Sequence, residues 1–137
     1  FGEDKNDNKL INDLLIWMQN SNVDYTNTFC YLMNIEMNNN EVYKDKDFIN
    51  WKNNWEKRLS INNNSKEKSL DLMKAFNPIV IPRNHKVEEA LTAANKGNLE
   101  ILNKLLIVLK KPYDIQKSIK DYQLPSTDKD YQTFCGT

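Results

Sequence analysis

Leu10, Ile11, Leu14, Leu15 and Met18 recur at the i, i+1, i+4, i+5, i+8 spacing of one helical face, after Asp7 and Asn8 as a start signal. This pattern predicts a first helix. A second is expected from Asp24, whose carboxylate can accept from free amides, with Phe29, Leu32 and Met33 inward and the Asn38–Asn40 cluster as its end. The two are expected to form a helical hairpin. Phe48, Trp51, Trp55 and Leu59 then repeat at intervals of three and four, with Lys52, Asn53, Asn54 and Glu56 on the other face, and predict a third helix with a buried aromatic stripe. A fourth is expected from about Asn64, three residues before Glu67 in a capping-box-like arrangement, with Leu70, Met73 and Phe76 inward until Pro78 stops it.

Ile79, Val80 and Ile81 lie between two prolines that remove backbone donors, so this apolar linker is expected to pack without pairing in a sheet. Asn84 is the expected cap of a fifth helix, with Val87, Ala90, Leu91 and Ala94 inward and Gly97 as its left-handed terminator; Asn98 is expected to cap the next. That sixth helix, Leu99 to Leu109, is apolar nearly all round and is expected to be the most buried element. After Pro112 the periodicity fades. The pattern therefore predicts an all-α chain: a single bundle-like domain of about six helices over residues 1–112, and an irregular tail over 113–137 that wraps or dangles.

Acidic and basic residues balance at 19 each, which gives no reason to expect a nucleic-acid partner or a charged membrane surface. The apolar stretches are too short and too interrupted by polar residues to cross a bilayer. The first residues, Phe-Gly-Glu-Asp-Lys, carry neither an initiating Met nor a signal segment, so the chain is expected to be a piece of a longer protein. Its abundant Asn is read as a compositional bias of the coding sequence.

Candidate chemistry is sparse. With Gly2, Gly97 and Gly136 as the only glycines, no phosphate cradle or kinase signature set can be built, and no nucleotide is expected to bind to this chain alone. Glu88 and Glu89 are adjacent, but neighbouring helical residues diverge by about 100° and do not converge on one substrate. His85, the sole histidine, stands in the first turn of the fifth helix and is read as structural. Trp51 and Trp55 could form a platform for bases or sugars, yet their spacing is that of a core stripe. Cys30 and Cys135 are far apart with no partner at ligand spacing, which argues against a zinc site. Cys30, among Phe29, Tyr31, Leu32 and Met33, is expected to be buried and inert. Cys135, third from the end and beside Gly136, is either an accessible reactive thiol or an incidental terminal residue.

Taken together, Asp24-Tyr25-Thr26-Asn27-Thr28-Phe29, the helix with Trp51, Trp55 and Arg58-Leu59, and Asn77-Pro78 with Ile81-Pro82-Arg83-Asn84-His85 resemble the C-terminal part of the selenoprotein O/YdiU family. The resemblance continues through Val87-Glu88-Glu89-Ala90-Leu91, Ala93-Ala94, Gly97-Asn98-Leu99, Pro112-Tyr113 and Tyr131-Gln132-Thr133-Phe134-Cys135-Gly136-Thr137. It implies a bacterial, cytoplasmic, kinase-like (pseudokinase) parent that transfers AMP from ATP to hydroxyl groups of protein substrates. ATP and Mg2+ would be held by an upstream kinase-like domain absent from these residues, so no catalytic, cofactor-binding or metal-binding residue is carried over to this chain. The partners implied are that domain of the same polypeptide and the protein substrates, with no nucleic acid and no membrane. One position is carried over: the family ends in a selenocysteine or cysteine linked to redox control and able to bond to a cysteine near the kinase-like active site, and Cys135 matches it. The alternative reading is a free-standing helical interaction module without catalysis.

Overall fold

A computed structural model of the chain describes residues 6–35, 40–61, 65–116 and 119–126. Among them are seven α-helices, one 3₁₀ turn and no strand, so the all-α expectation holds. The backbone divides at the Asn77–Pro78 step into two compact units, Phe1–Asn77 and Pro78–Thr137.

The first unit contains α1 (Asp7–Asn20), α2 (Tyr25–Leu32), a 3₁₀ turn at Glu41–Lys44, α3 (Lys46–Ile61) and α4 (Lys66–Phe76). Asp24 caps α2 as expected, its Oδ1 accepting from the Asn27 amide at 2.9 Å. Helix α2 ends earlier than the Asn38–Asn40 cluster, because Asn34 takes a left-handed φ of 60° and the amides of Asn34 and Ile35 donate back to Tyr31 and Cys30. Asn22, at φ 50°, closes α1 in the same way, its amide and that of Val23 donating to Gln19 and Met18. Two members of the Asn surplus thus hold backbone conformations that Asn tolerates better than most residues.

The expected hairpin of the first two helices is not the main pairing. Helix α1 packs chiefly on α3, because α3 offers the larger apolar stripe. Leu14, Trp17 and Met18 of α1, Leu32 of α2, Tyr43 and the α3 residues Phe48, Trp51 and Trp55 form one buried cluster. Its rings interlock: Trp17 meets Phe48 at 4.5 Å between centroids, Tyr31 stacks on Tyr43 at 4.1 Å, and Trp51 lies parallel to Trp55 at 5.9 Å. Two of its three indoles tie it together, Trp17 Nε1 donating to Asp45 Oδ1 and Trp51 Nε1 to the Leu10 carbonyl, each at 2.8 Å. Asp45 Oδ1 also accepts from the Asp47 and Phe48 amides, so one carboxylate starts α3 and anchors α1. Those bonds to the ionised form hold the Asp45 carboxyl below its usual range, the Phe48 amide contributing most.

Helix α4 is capped by Ser65, whose side chain accepts from the Lys68 amide at 3.2 Å; the expected start at Asn64 lies outside the described residues. Met73 packs against the core, but Phe76 is 75% exposed, against expectation. Steps of three residues from Leu70 to Met73 to Phe76 turn the stripe by roughly 60° each time, which carries Phe76 off the buried face.

The second unit contains α5 (Asn84–Asn95), α6 (Glu100–Leu109) and α7 (Lys120–Gln123). The Ile79–Val80 linker is buried and lies in no strand, as expected, with both of its amides donating to the Pro112 carbonyl. Within the segment read as a tail, Ile119 and Gln123 are buried: Gln123 Nε2 donates to the Ile79 carbonyl at 2.8 Å, and Arg83 Nη2 donates to the Gln123 carbonyl at 3.0 Å. The described part of that segment therefore wraps.

Arg83, not Asn84, occupies the cap position of α5, and no side chain there caps the helix. Gly97 does end it, at φ 83°, with its amide and that of Asn98 donating to Ala94 and Ala93. Asn98 Oδ1 accepts from the Glu100 amide at 2.9 Å and so serves the start of α6. Helices α5 and α6 are the closest pair in the unit, approaching over the fully buried Ala90, while Leu91 points outward. Helix α6 is not the most buried element. Only Leu105 and Val108 are buried on it, because α5 covers a single side.

Candidate functional site

A concavity of the first unit lies between the end of α2, α3 and α4, with a volume of about 390 Å³. Leu32, Trp55, Leu59 and Met73 make its floor, and Lys52, Glu56 and Lys66 stand at its rim. Both ammonium groups lie 3.7 Å from the single Glu56 carboxylate, which leaves the rim with a net positive charge. Two hydroxyls line it, but Ser60 Oγ donates to the Lys57 carbonyl and Ser69 Oγ to the Ser65 carbonyl, and the lining holds no histidine or cysteine to act as base or nucleophile. Such a hollow can accept an apolar group.

His85 sits partly buried in the first turn of α5. Burial pushes its pKa down, the Lys86 and Arg83 charges push it further, and Glu89 offsets them in part, so the imidazole is neutral at neutral pH. Glu88 and Glu89 are both exposed, and Glu89 pairs with Lys86 at 3.3 Å. Trp51 and Trp55 are 8% and 7% exposed, with their faces against other rings, which removes the platform reading. Cys30 has no exposed surface. Cys135 lies outside the described residues. Among the described residues, no three His, Cys, Asp or Glu side chains are grouped to hold a metal ion.

Three features escaped the sequence reading. Asp7, read as a start signal, makes no cap; it is buried, and its two oxygens accept from Arg58 Nε and Nη2 at 2.7 and 3.0 Å across 51 positions. Nothing local announces such a pair. Trp17 belongs to the core cluster and could have been found, since it stands three residues after Leu14 and seven after Leu10. Tyr43 is buried within the cluster, where desolvation raises its pKa, although its hydroxyl lies 3.3 Å from Thr28 Oγ1.

No helix among the described residues is long and apolar enough to cross a membrane. The family described as protein adenylyltransferase SelO matches residues 2–110. A Pelagibacter ubique protein named protein nucleotidyltransferase YdiU is 51% identical over the whole chain, which spans 29% of that relative. Proteins of the same name from Nitrosococcus oceani and Clostridium beijerinckii are 44% and 43% identical, again over the whole chain and over 28% of each relative. The chain thus spans less than a third of the curated relatives that it matches.

Proposed function

This chain belongs to the SelO family, and from that premise we propose that it is the C-terminal helical part of a protein adenylyltransferase, in which it buttresses a kinase-like domain. The observation that supports this most strongly is identity of 51% along the whole chain to a protein nucleotidyltransferase more than three times as long. In this reading the parent transfers AMP from ATP to hydroxyl groups of cytoplasmic proteins and releases pyrophosphate. ATP and Mg2+ bind in the kinase-like domain, and the helices contribute support rather than a reacting group.

The lack of any glycine-rich loop in the sequence fits that division of labour. Calorimetric titration of the 137-residue chain with ATP and magnesium is expected to show no heat of binding, while the full-length parent binds. Micromolar affinity in the chain itself contradicts the division. A native gene product limited to these residues favours the free-standing interaction module instead.

Cys135 is the regulatory position in this reading. Its thiolate exchanges with an oxidised cellular disulfide and passes the bond to a cysteine of the kinase-like domain, two thiols being oxidised as the small disulfide is reduced. Cys30 cannot take that partner's place, since it is fully buried. Cys135→Ser in the full-length protein is expected to make AMP transfer insensitive to dithiothreitol and to oxidised glutathione. Activity that still responds to dithiothreitol in that variant rejects the redox role and leaves the buttress.

A further inference from the structure

The hollow of the first unit is built from two matching helix faces: Lys52, Glu56 and Leu59 on α3, and Lys66, Leu70 and Met73 on α4. Both sets run i, i+4, i+7, the spacing of a face suited to packing against a neighbour. The two faces nevertheless stand apart. Helix α4 has no buried residue, and its Leu70 and Met73 stay half-buried. The space of about 390 Å³ left between the helices falls in the range of small-molecule sites, about 300–1,000 Å³.

The charges at its rim select the occupant. Lys52 Nζ and Lys66 Nζ each lie 3.7 Å from the same oxygen, Glu56 Oε1, longer than the about 2.7–2.9 Å of a charge-assisted hydrogen bond. Two ammonium groups share one carboxylate loosely, so a positive charge is left in excess above an apolar floor. A monoanion with an apolar body complements both features. A dianion would meet the Glu56 carboxylate, and a cation would meet the lysines. The walls are helices whose backbone groups are bonded within the helix, so an extended peptide finds no main-chain partner there. We propose that the hollow binds a small carboxylate with an apolar body, such as a medium-chain acyl carboxylate. Its carboxylate bridges Lys52 and Lys66, and its chain lies against Leu59, Leu70 and Met73 with Trp55 beneath.

Trp55 in the floor supplies a local probe. The native gene product that carries these residues is labelled with fluorotryptophan, and the Trp55 fluorine resonance is identified by its loss in Trp55→Phe. Octanoate is expected to shift that resonance saturably, with a dissociation constant at least about tenfold below that of octanol, and octylammonium to give no saturable shift. Lys52→Gln/Lys66→Gln should remove the tenfold advantage and Lys52→Arg/Lys66→Arg should keep it, both pairs of changes being at the rim, where the Lys66 side chain is 76% exposed. Glu56→Gln, which releases both ammonium groups, should tighten octanoate binding. No saturable shift with octanoate overturns the proposal, because the hollow is then filled or covered. Equal constants for octanoate and octanol also overturn it, since the hollow then takes apolar groups without recognising a carboxylate. So does an advantage that survives in Lys52→Gln/Lys66→Gln, which places the ligand elsewhere.

Discussion

Trp51→Ala is expected to lower the unfolding free energy by about 3–5 kcal/mol, the range for truncation of large buried aromatics. Trp51 is 8% exposed, touches both Phe48 and Trp55 through its ring, and donates to the Leu10 carbonyl at 2.8 Å, so removal opens a cavity and breaks a bond that ties α1 to α3. Trp51→Phe keeps part of the ring packing and should lose less. Denaturant titration followed by far-ultraviolet circular dichroism measures both. An unchanged midpoint for Trp51→Ala, with loss of a binding activity, would mean that the indole serves as a recognition platform and that the packing account is wrong.

Arg58→Ala should cost about 3 kcal/mol, the lower end of the range for removing one partner of a buried ion pair, because this pair keeps some solvent contact. The side chains of Arg58 and Asp7 are 12% and 9% exposed, and the guanidinium donates to both carboxylate oxygens. Without it, Asp7 stays buried at the first turn of α1 with its charge uncompensated. Arg58→Lys should recover only part of the loss, since an ammonium cannot make the two parallel bonds. The double variant Asp7→Leu/Arg58→Met should be more stable than Arg58→Ala alone, because apolar replacement removes the stranded charge. A loss of no more than about 0.5 kcal/mol for Arg58→Ala would place the pair among ordinary surface contacts and remove it from the account.

How much of the fold was legible in the sequence depends on the range over which each signal acts. Period and capping chemistry act over a few residues, so the six main helices, the Asp24 cap, the Gly97 terminator and the aromatic stripe of α3 could all be read directly. Contacts across long separations could not. The Asp7–Arg58 pair and the preference of α1 for α3 over α2 depend on which surfaces meet, and no local pattern encodes that. Asn22 and Asn34 were hidden for another reason: in a chain full of Asn, the two that end helices look like all the others. Helix α6 defied its pattern because composition does not say how many neighbours a helix has, and here only Leu105 and Val108 are buried on it.

The candidate site divides in the same way. Sequence placed Cys30 in the interior and Trp51 and Trp55 in the core, and the geometry agrees. Cys135 was marked by family resemblance alone, and it lies outside the described residues. At the start of a helix and flanked by Lys86 and Arg83, His85 has its charged form disfavoured, chiefly by burial.

The central claim is that these helices belong to an enzyme that transfers AMP, and the most direct test is to incubate the full-length parent with ATP, magnesium and a cell extract, using ATP labelled at either the α- or the γ-phosphate. Protein hydroxyl groups should acquire the α-label and not the γ-label, and the 137-residue chain alone should transfer neither. Transfer of the γ-label would make the parent a kinase, and transfer of no label by an intact, ATP-binding parent would contradict the proposed activity.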